Sequence, residues 1–508
     1  MTTDTDPTPR RHFLKGALAA SALAASPLVS RLAVSAESTH DLLIIGAGNA
    51  GLAAAVFAAK GGARVVLVEA ANVPGGTLMM SAGQMSAAGT AVQQQRGIED
   101  SADLHYEDVM RISRNTADSM LVRMAVDGAA STFDWLMSQG FPMLPDHPVT
   151  GLAHEPYSVP RYYWGESNGH SVLAVLIEAL RPELERGQAQ LHLATRAVGL
   201  DTGRDGRIVA VRCREAEGTE HSIAARHVLL ACGGYTANSA LFEELCGYRD
   251  YGDGSYPFSQ GDGIRLGQSV GGYVRGRENY LCNFGAVLES DNFPAKRFAR
   301  FDTYPERRPP WEIYVNTRGE RFVREDEPSV DRREHALLAQ PELRYWIVFD
   351  EAILDQAPVG LMGFSRESLR GLFDTHPMFL RADSLAQLAQ QAGIEAAGLE
   401  RSVADYNAGV NRGEDPLGRQ HLPRRIEAGP FYAIRMQGYS VTSTVGLAVD
   451  DQLRVLRGDG QSIPNLYAAG ELLGSGQLMG KAFCGGMMVT PALTFGRMIG
   501  QRIAQEVV

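Results

Sequence analysis

The stretch from Asp41 to Glu69, DLLIIGAGNAGLAAAVFAAKGGARVVLVE, constrains this chain more than any other. An apolar run that reads as a buried strand leads into Gly46-Ala-Gly48-Asn-Ala-Gly51. An alanine-rich helix follows, and a second apolar run, Val65 to Val68, ends on Glu69. This is one βαβ unit with the dinucleotide fingerprint in its first turn. Gly46 permits the tight turn, Gly48 lets the backbone approach a pyrophosphate, and Gly51 lets helix and strand pack closely. The helix N-terminus offers unpaired N–H groups to phosphates. Glu69 is placed to accept hydrogen bonds from a ribose hydroxyl pair. The strand before, the helix after and the acid at the next strand's end together favour a nucleotide site over a glycine turn chosen only for packing.

The 508 residues suffice for two or three domains. With 44% hydrophobic and 21% charged residues, the composition is that of a globular protein. A formal net charge of −11, with no basic run in the body of the chain, argues against a nucleic-acid partner. Cys213, Cys232, Cys246, Cys282 and Cys484 are scattered without CxxC or CxxCH spacing, so neither a disulfide framework, a metal site nor a haem attachment is expected. Arg10-Arg11-His12-Phe13-Leu14-Lys15 precedes a mild apolar stretch, Gly16 to Val34, and Val34-Ser35-Ala36 offers small residues for cleavage before Glu37. Residues 1–36 resemble a twin-arginine export signal, with Pro9 where such signals usually carry Ser or Thr. A disordered basic leader with an apolar helix, or an uncleaved anchor, is the alternative. The expectation is a periplasmic or otherwise exported protein, passed folded to the twin-arginine machinery. No other stretch runs to ~18 uninterrupted apolar residues, so no membrane span is expected after cleavage.

Beyond Glu69 lie Gly75-Gly76-Thr77 and Ser81-Ala-Gly83, then helical patterns from Asp103 to Gln139. A loop, Val159-Pro-Arg161-Tyr162-Tyr163-Trp164-Gly165, leads to Asn168-Gly-His170 and an amphipathic helix. Short alternating runs read as hairpin strands and lead to a buried strand, His227 to Cys232, ending on Gly233-Gly234. From about Phe242 to Arg425 the regular βαβ rhythm is lost and Tyr, Pro and Arg accumulate, which reads as an inserted cap. Pro464-Asn-Leu-Tyr467-Ala-Ala-Gly470-Glu471 is again a strand running into a glycine turn, followed by Gly474, Gly476, Gly480, Gly485 and Gly486.

GAGNAG with Glu69, the Gly75-Gly76-Thr77 turn, the LLACGGY strand and LYAAGE with its glycine-rich tail together resemble the FAD-binding flavoproteins of the fumarate reductase/succinate dehydrogenase type, which include the 3-ketosteroid 1-dehydrogenases. The resemblance implies an α/β protein: a discontinuous Rossmann-like FAD-binding domain (40–241 and 426–508) with an inserted α+β cap, or substrate, domain (242–425). Carried over by position, Gly46, Gly48, Asn49, Gly51, Glu69 and Ala70 hold the adenosine end. Gly75, Gly76, Thr77, Ser81 and Gly83 line the pyrophosphate and flavin, Gly233 and Gly234 pack near the adenine, and Gly470-Glu471 meets the ribityl chain. Gly485, Gly486 and Met487 bring backbone N–H groups to the flavin pyrimidine ring. Leu78-Met79-Met80-Ser81 has no histidine where some members attach FAD covalently, so the resemblance implies noncovalent FAD.

The chemistry it implies is hydride transfer between flavin and a CH–CH or C=C bond next to a carbonyl or carboxylate, with a proton donor or base on the far side of a small-molecule substrate. Electrons would pass to a separate carrier, a quinone or O₂. Dicarboxylate reductases of this type use several histidines and arginines. Here Thr442, Arg161-Tyr-Tyr-Trp164, Glu351-Ala-Ile-Leu354 and Phe483-Cys484 stand at the corresponding places. Leu478-Met-Gly480-Lys-Ala-Phe483 looks closer to the ketosteroid dehydrogenase branch, except that Phe483 replaces its substrate-binding tyrosine. The expected substrate is flatter and more apolar, with Tyr163 as acid or base, Arg161 facing a carbonyl or anion, and Lys481 and Glu325 as further candidates. Several residues of these stretches have structural alternatives: Tyr162 and Trp164 as core packing, His170 as a helix start, Lys481 as a surface lysine, Glu325 as a partner of Arg321. A dicarboxylate- or urocanate-type reductase and a flavin-binding electron-transfer subunit are the competing functions.

Overall fold

The computed structural model describes residues 40–151 and 154–507, which form one compact unit. The export signal expected at 1–36 lies outside the described residues. The strand His40–Ile45 pairs in parallel with Val65–Val68 on one side and Glu220–Leu230 on the other, setting Ile44 opposite Leu67 and Leu229. Ala189–His192 continues the sheet beyond Val65–Val68, and Ser462–Ala468 beyond Glu220–Leu230, again in parallel. Both faces of such a sheet are covered, which is why these strands are continuous apolar runs rather than alternating ones. Arg454–Leu456 and the hairpin Thr195–Thr202/Ile208–Glu215 attach antiparallel.

The two ends of the chain meet in this layer. The helix Asn49–Lys60 lies against the last helix, Val489–Val507. A Cβ on Gly496 would stand 2.2 Å from the Ala50 carbonyl oxygen, and one on Gly500 2.4 Å from that of Ala54. Only glycine allows backbones to come so close, and the contact brings the GAGNAG turn beside the C-terminal glycine turns. Asn49 Nδ2 fixes this junction by donating to the Val489 carbonyl at 3.0 Å.

A second, antiparallel sheet has the order Ile313–Val315, Arg344–Asp350, Phe431–Gln437, Phe379–Ala382. Helices Val330–Leu338, Arg366–Thr375, Leu385–Ala392 and Ala396–Arg412 are interleaved with its strands. This α+β body corresponds to the cap, but its edges differ from 242 and 425. Its central strand, Phe431–Gln437, follows residue 425. At the other edge, the helix Asp262–Ser269 is tied to the first sheet by the Arg196–Asp262 ion pair, and Val274–Arg275 pairs with Gly446–Leu447. Strands that pair across long sequence separations leave no local change of composition for texture to register. Among the described residues no helix is long and apolar enough to cross a membrane.

Candidate active site

At the carboxyl ends of the parallel strands lies a cavity of about 1110 Å³, its open mouth included. Gly46, Gly48, Asn49, Glu69, Ala70, Gly76, Thr77, Ser81, Gly233, Gly470 and Glu471 line it, as expected from sequence. Arg196, Tyr256, Asp262, Thr442 and Met488 are also in its wall. Arg196, Tyr256 and Asp262 come from an antiparallel strand, an irregular loop and the start of the helix Asp262–Ser269, which lack the fingerprint that marks the rest. Glu69 accepts the Ala47 and Ala71 N–H groups, each at 2.8 Å. A carboxylate oxygen has two acceptor sites, so one on each oxygen is left for ligand hydroxyls. Glu471 accepts the Ser443 N–H and hydroxyl, both at 3.0 Å, and faces Thr77 Oγ1 at 3.4 Å; burial raises its pKa.

Two kinds of glycine meet at this cavity. A Cβ on Gly51 would stand 1.9 Å from the Gly46 carbonyl oxygen, so Gly51 is required by the protein's own packing. A Cβ on Gly48 would find nothing nearer than the Gly75 oxygen at 3.9 Å, and one on Gly233 nothing within 4 Å. These positions open a cradle in which backbone alone faces a ligand. The helix starting at Asn49 has no side-chain cap, and Asn49 Oδ1 is buried without a partner. Uncapped N–H groups and an orphan amide oxygen suit a pyrophosphate with its attached groups, and the residues present fit a dinucleotide. Gly51, Gly75, Gly83, Gly234, Gly485, Gly486 and Met487 are not in the cavity wall. Gly83 packs on Gly169, Gly234 on Ser443 and Glu471, and Gly486 on Ser86. The Met487 N–H is engaged by the Cys484 carbonyl at 3.1 Å.

The four side chains expected to act on substrate lie outside this cavity. Arg161 is fully buried: Nε and Nη2 donate to Asp100 at 2.9 and 2.7 Å, and Nη1 to Asp108 at 2.6 Å. Two carboxylates and the Leu104 carbonyl engage the guanidinium, leaving it little to offer a substrate. Tyr163 is buried, its hydroxyl 2.8 Å from Thr90 Oγ1 and its ring 4.0 Å from Phe133; burial raises its pKa, which suits a structural phenol. Glu325 holds Arg321, Arg419 and the Tyr314 N–H inside the cap. Lys481 and His170 are exposed, while Tyr162 packs against Gly485 and Trp164. Glu325 thus sits with Arg321, Lys481 lies at the surface and His170 at a helix start.

A second set of groups gathers at the turn Phe483–Gly485. The Phe483 N–H donates to Asp331 Oδ1 at 3.1 Å, and its ring lies 4.4 Å from the His154 imidazole. Asp331 also meets His154 Nδ1 at 3.3 Å. Asp331, Arg333 and Glu334 are buried on the helix Val330–Leu338, and ligand-type atoms of His154, Asp331 and Glu334 lie within 4.8 Å of one another. Arg333 stands over the rings of Phe284 and Tyr304, at 5.2 and 5.4 Å. Its Nη1 donates to the Thr303 carbonyl, while Nε and Nη2 are buried without partners. From the opposite side, the Tyr157 hydroxyl donates to the Gly485 carbonyl.

Burial alone would lower the His154 pKa, but the bond to Asp331 and the charge of Glu334 outweigh it and raise the value. Burial pushes Glu334 up to about 7, with His154 and Arg333 opposing and Asp331 reinforcing the shift. Both shifts favour the protonated forms. Sequence reasoning misses this cluster. The one available signal is a helix whose buried positions, Val330, Asp331, Arg333, Glu334 and Leu337, include three charges. His154 sits in a loop that carries no motif.

The profile of the family described as FAD binding domain matches residues 41–487. The chain belongs to this family and is an FAD-dependent oxidoreductase of the fumarate reductase/succinate dehydrogenase type. Over 485 residues it is 29% identical to a probable fumarate reductase of Shewanella frigidimarina, covering 94% of this chain and 76% of the relative. A urocanate reductase of Eggerthella lenta is 27% identical over 495 residues, covering 91% of this chain and 74% of the relative. The structure of a 3-ketosteroid Δ1-dehydrogenase from Sterolibacterium denitrificans shares the fold, with a TM-score of 0.71 and 20% identity over 92% of this chain and 99% of that one.

Proposed function

We propose that this enzyme moves two electrons between FAD and a CH–CH or C=C bond next to a carbonyl or carboxylate of a moderately apolar small molecule. Bound FAD supplies the hydride chemistry. The observation that carries the reading is a dinucleotide cavity whose wall includes Thr442 and Met488, together with a buried arginine and a histidine–carboxylate pair at the turn Phe483–Gly485, close in sequence to Met488. Gly48, Gly76 and Gly233 would admit the pyrophosphate to the backbone, Glu69 would take the ribose, and Thr77 with Glu471 the polyol chain. With no histidine in Leu78–Ser81, the cofactor would be held noncovalently. His154, oriented by Asp331, would give or take the proton at Nε2. Phe483 has no donor, so polarising the activating group falls to Arg333. Arg161, Tyr163 and Glu325 keep the frame in which these groups stand. Electrons would be exchanged with a separate carrier, a quinone or O₂, and the twin-arginine-like leader supports export.

The likeness to fumarate and urocanate reductases favours a second reading, reduction of a dicarboxylate- or urocanate-type acceptor. Purified protein is expected to carry FAD released by denaturation. After anaerobic photoreduction, the flavin should be reoxidised by enones or unsaturated acids. Rapid reoxidation by fumarate would favour the second reading. Reoxidation by one-electron carriers alone would make the protein an electron-transfer subunit, and a protein that binds no FAD would overturn all three.

A further inference from the structure

Arg333 is 1% exposed, and its Nε and Nη2 point to no acceptor among the described residues. An unmet buried donor costs about 1–3 kcal/mol, more for a charged group, so such groups are normally met by a partner, water or ligand. Nε–H and one Nη2–H form one edge of the guanidinium, the edge that meets a carboxylate through two parallel bonds. The guanidinium lies over the rings of Phe284 and Tyr304, and Phe483 packs on His154 of the same cluster. Apolar walls around one polar anchor are what a flat, conjugated ligand needs.

We propose that Arg333 is the receptor for a single substrate carboxylate, and that Asp331 and Glu334 reject a second one. This assigns the enzyme planar mono-anionic acids and sets it against dicarboxylates; it rests on the reading of the site as a CH–CH oxidoreductase. The charge arrangement carries the argument. A dianion needs more than one free cation once water is removed. His154, the other cation of the cluster, is already paired with Asp331. Asp331 and Glu334 share the buried helix with Arg333, so a second carboxylate at this cluster would find carboxyl groups rather than a further cation and, once Glu334 is ionised above about pH 7, like charge.

Phenylacetate, phenylacetamide and phenylmalonate test this, because they share one aromatic body, carry one, no and two carboxylates, and offer no CH–CH bond to desaturate. Calorimetric titration of the oxidised holoenzyme should show phenylacetate binding about tenfold or more tightly than either of the others. Arg333→Gln should bring phenylacetate down to the level of the amide. Asp331→Asn and Glu334→Gln should narrow the gap to phenylmalonate. If Arg333→Gln does not fold, Arg333→Lys keeps the charge without the fork and should weaken phenylacetate while leaving it ahead of the amide. Phenylmalonate binding as well as phenylacetate, or unchanged phenylacetate affinity in the Arg333 variant that folds, overturns the proposal. Selective phenylacetate binding in a protein whose reduced flavin no unsaturated compound reoxidises would uphold the receptor and overturn the proposed reaction.

Discussion

Gly48→Ala is expected to separate cofactor binding from folding. Gly48 adopts φ −87° and ψ −165°, open to any residue, and its new methyl group would find the Gly75 oxygen no closer than 3.9 Å. The folded apoprotein accepts that methyl, and restricting the unfolded chain stabilises it by about 0.4–1 kcal/mol. The methyl instead enters the cavity where the pyrophosphate would approach. FAD affinity should fall about tenfold or more, equivalent to about 1.4 kcal/mol. Gly51→Ala is the converse. Its Cβ would stand 1.9 Å from the Gly46 oxygen and 3.1 Å from the Ile44 side chain, so the turn must shift. Overpacking of this kind costs on the order of 1–3 kcal/mol, and more when backbone is displaced. Urea unfolding of both apoproteins, with FAD titration followed by flavin fluorescence, reads the two effects apart. A Gly48→Ala protein that binds FAD normally, or whose apoprotein is destabilised, would refute the reasoning.

Arg161→Met leaves Asp100 buried without its cation and takes one of two arginines from Asp108, which keeps Arg111, and should destabilise the fold by about 3–5 kcal/mol in urea; a loss below about 1 kcal/mol would contradict the ion-pair account. Glu334 holds its proton up to about 7 when folded against 4.5 ordinarily. Stability should therefore fall as pH rises through that window and level off above it. Glu334→Gln should flatten the slope by up to about 3 kcal/mol, and matching pH profiles for the two proteins would count against it. Tyr163→Phe should cost about 1 kcal/mol of stability and leave turnover within about twofold, because its hydroxyl only meets Thr90; a large loss of turnover would return Tyr163 to the chemistry. His154→Gln should lower kcat by about 10²- to 10⁴-fold without changing FAD affinity, and unaltered kcat would remove it as proton carrier.

The dinucleotide end was legible because its physics is local. The turn at Gly46, the uncapped helix at Asn49 and the acid at Glu69 follow one another within a single βαβ unit. The later glycine turns at Gly75, Gly233 and Gly470 are equally recognisable, although the structure divides them into glycines that face the cavity and glycines that relieve packing. The surroundings of the catalytic candidates were hidden for a different reason. Arg161 and Tyr163 occupy a conspicuous aromatic loop, but sequence does not reveal that Asp100, Asp108 and Thr90 fold back to engage them. Conversely, Arg333 stands out only once its helix is seen to be buried and its guanidinium to lack a partner. His154 joins Asp331 across a wide sequence separation, through tertiary packing that no spacing rule records. The cap's edges were obscured by long-range strand pairing, as Phe431–Gln437 shows.

The most direct test of the central claim is an anaerobic single-turnover titration of the photoreduced holoenzyme with an aryl-conjugated unsaturated monocarboxylate such as cinnamate. The account predicts that one equivalent of acid reoxidises one equivalent of flavin, and that the saturated acid appears in the same amount. Flavin that stays reduced with cinnamate and with every other unsaturated acid or enone, yet is oxidised at once by a one-electron acceptor, would contradict it.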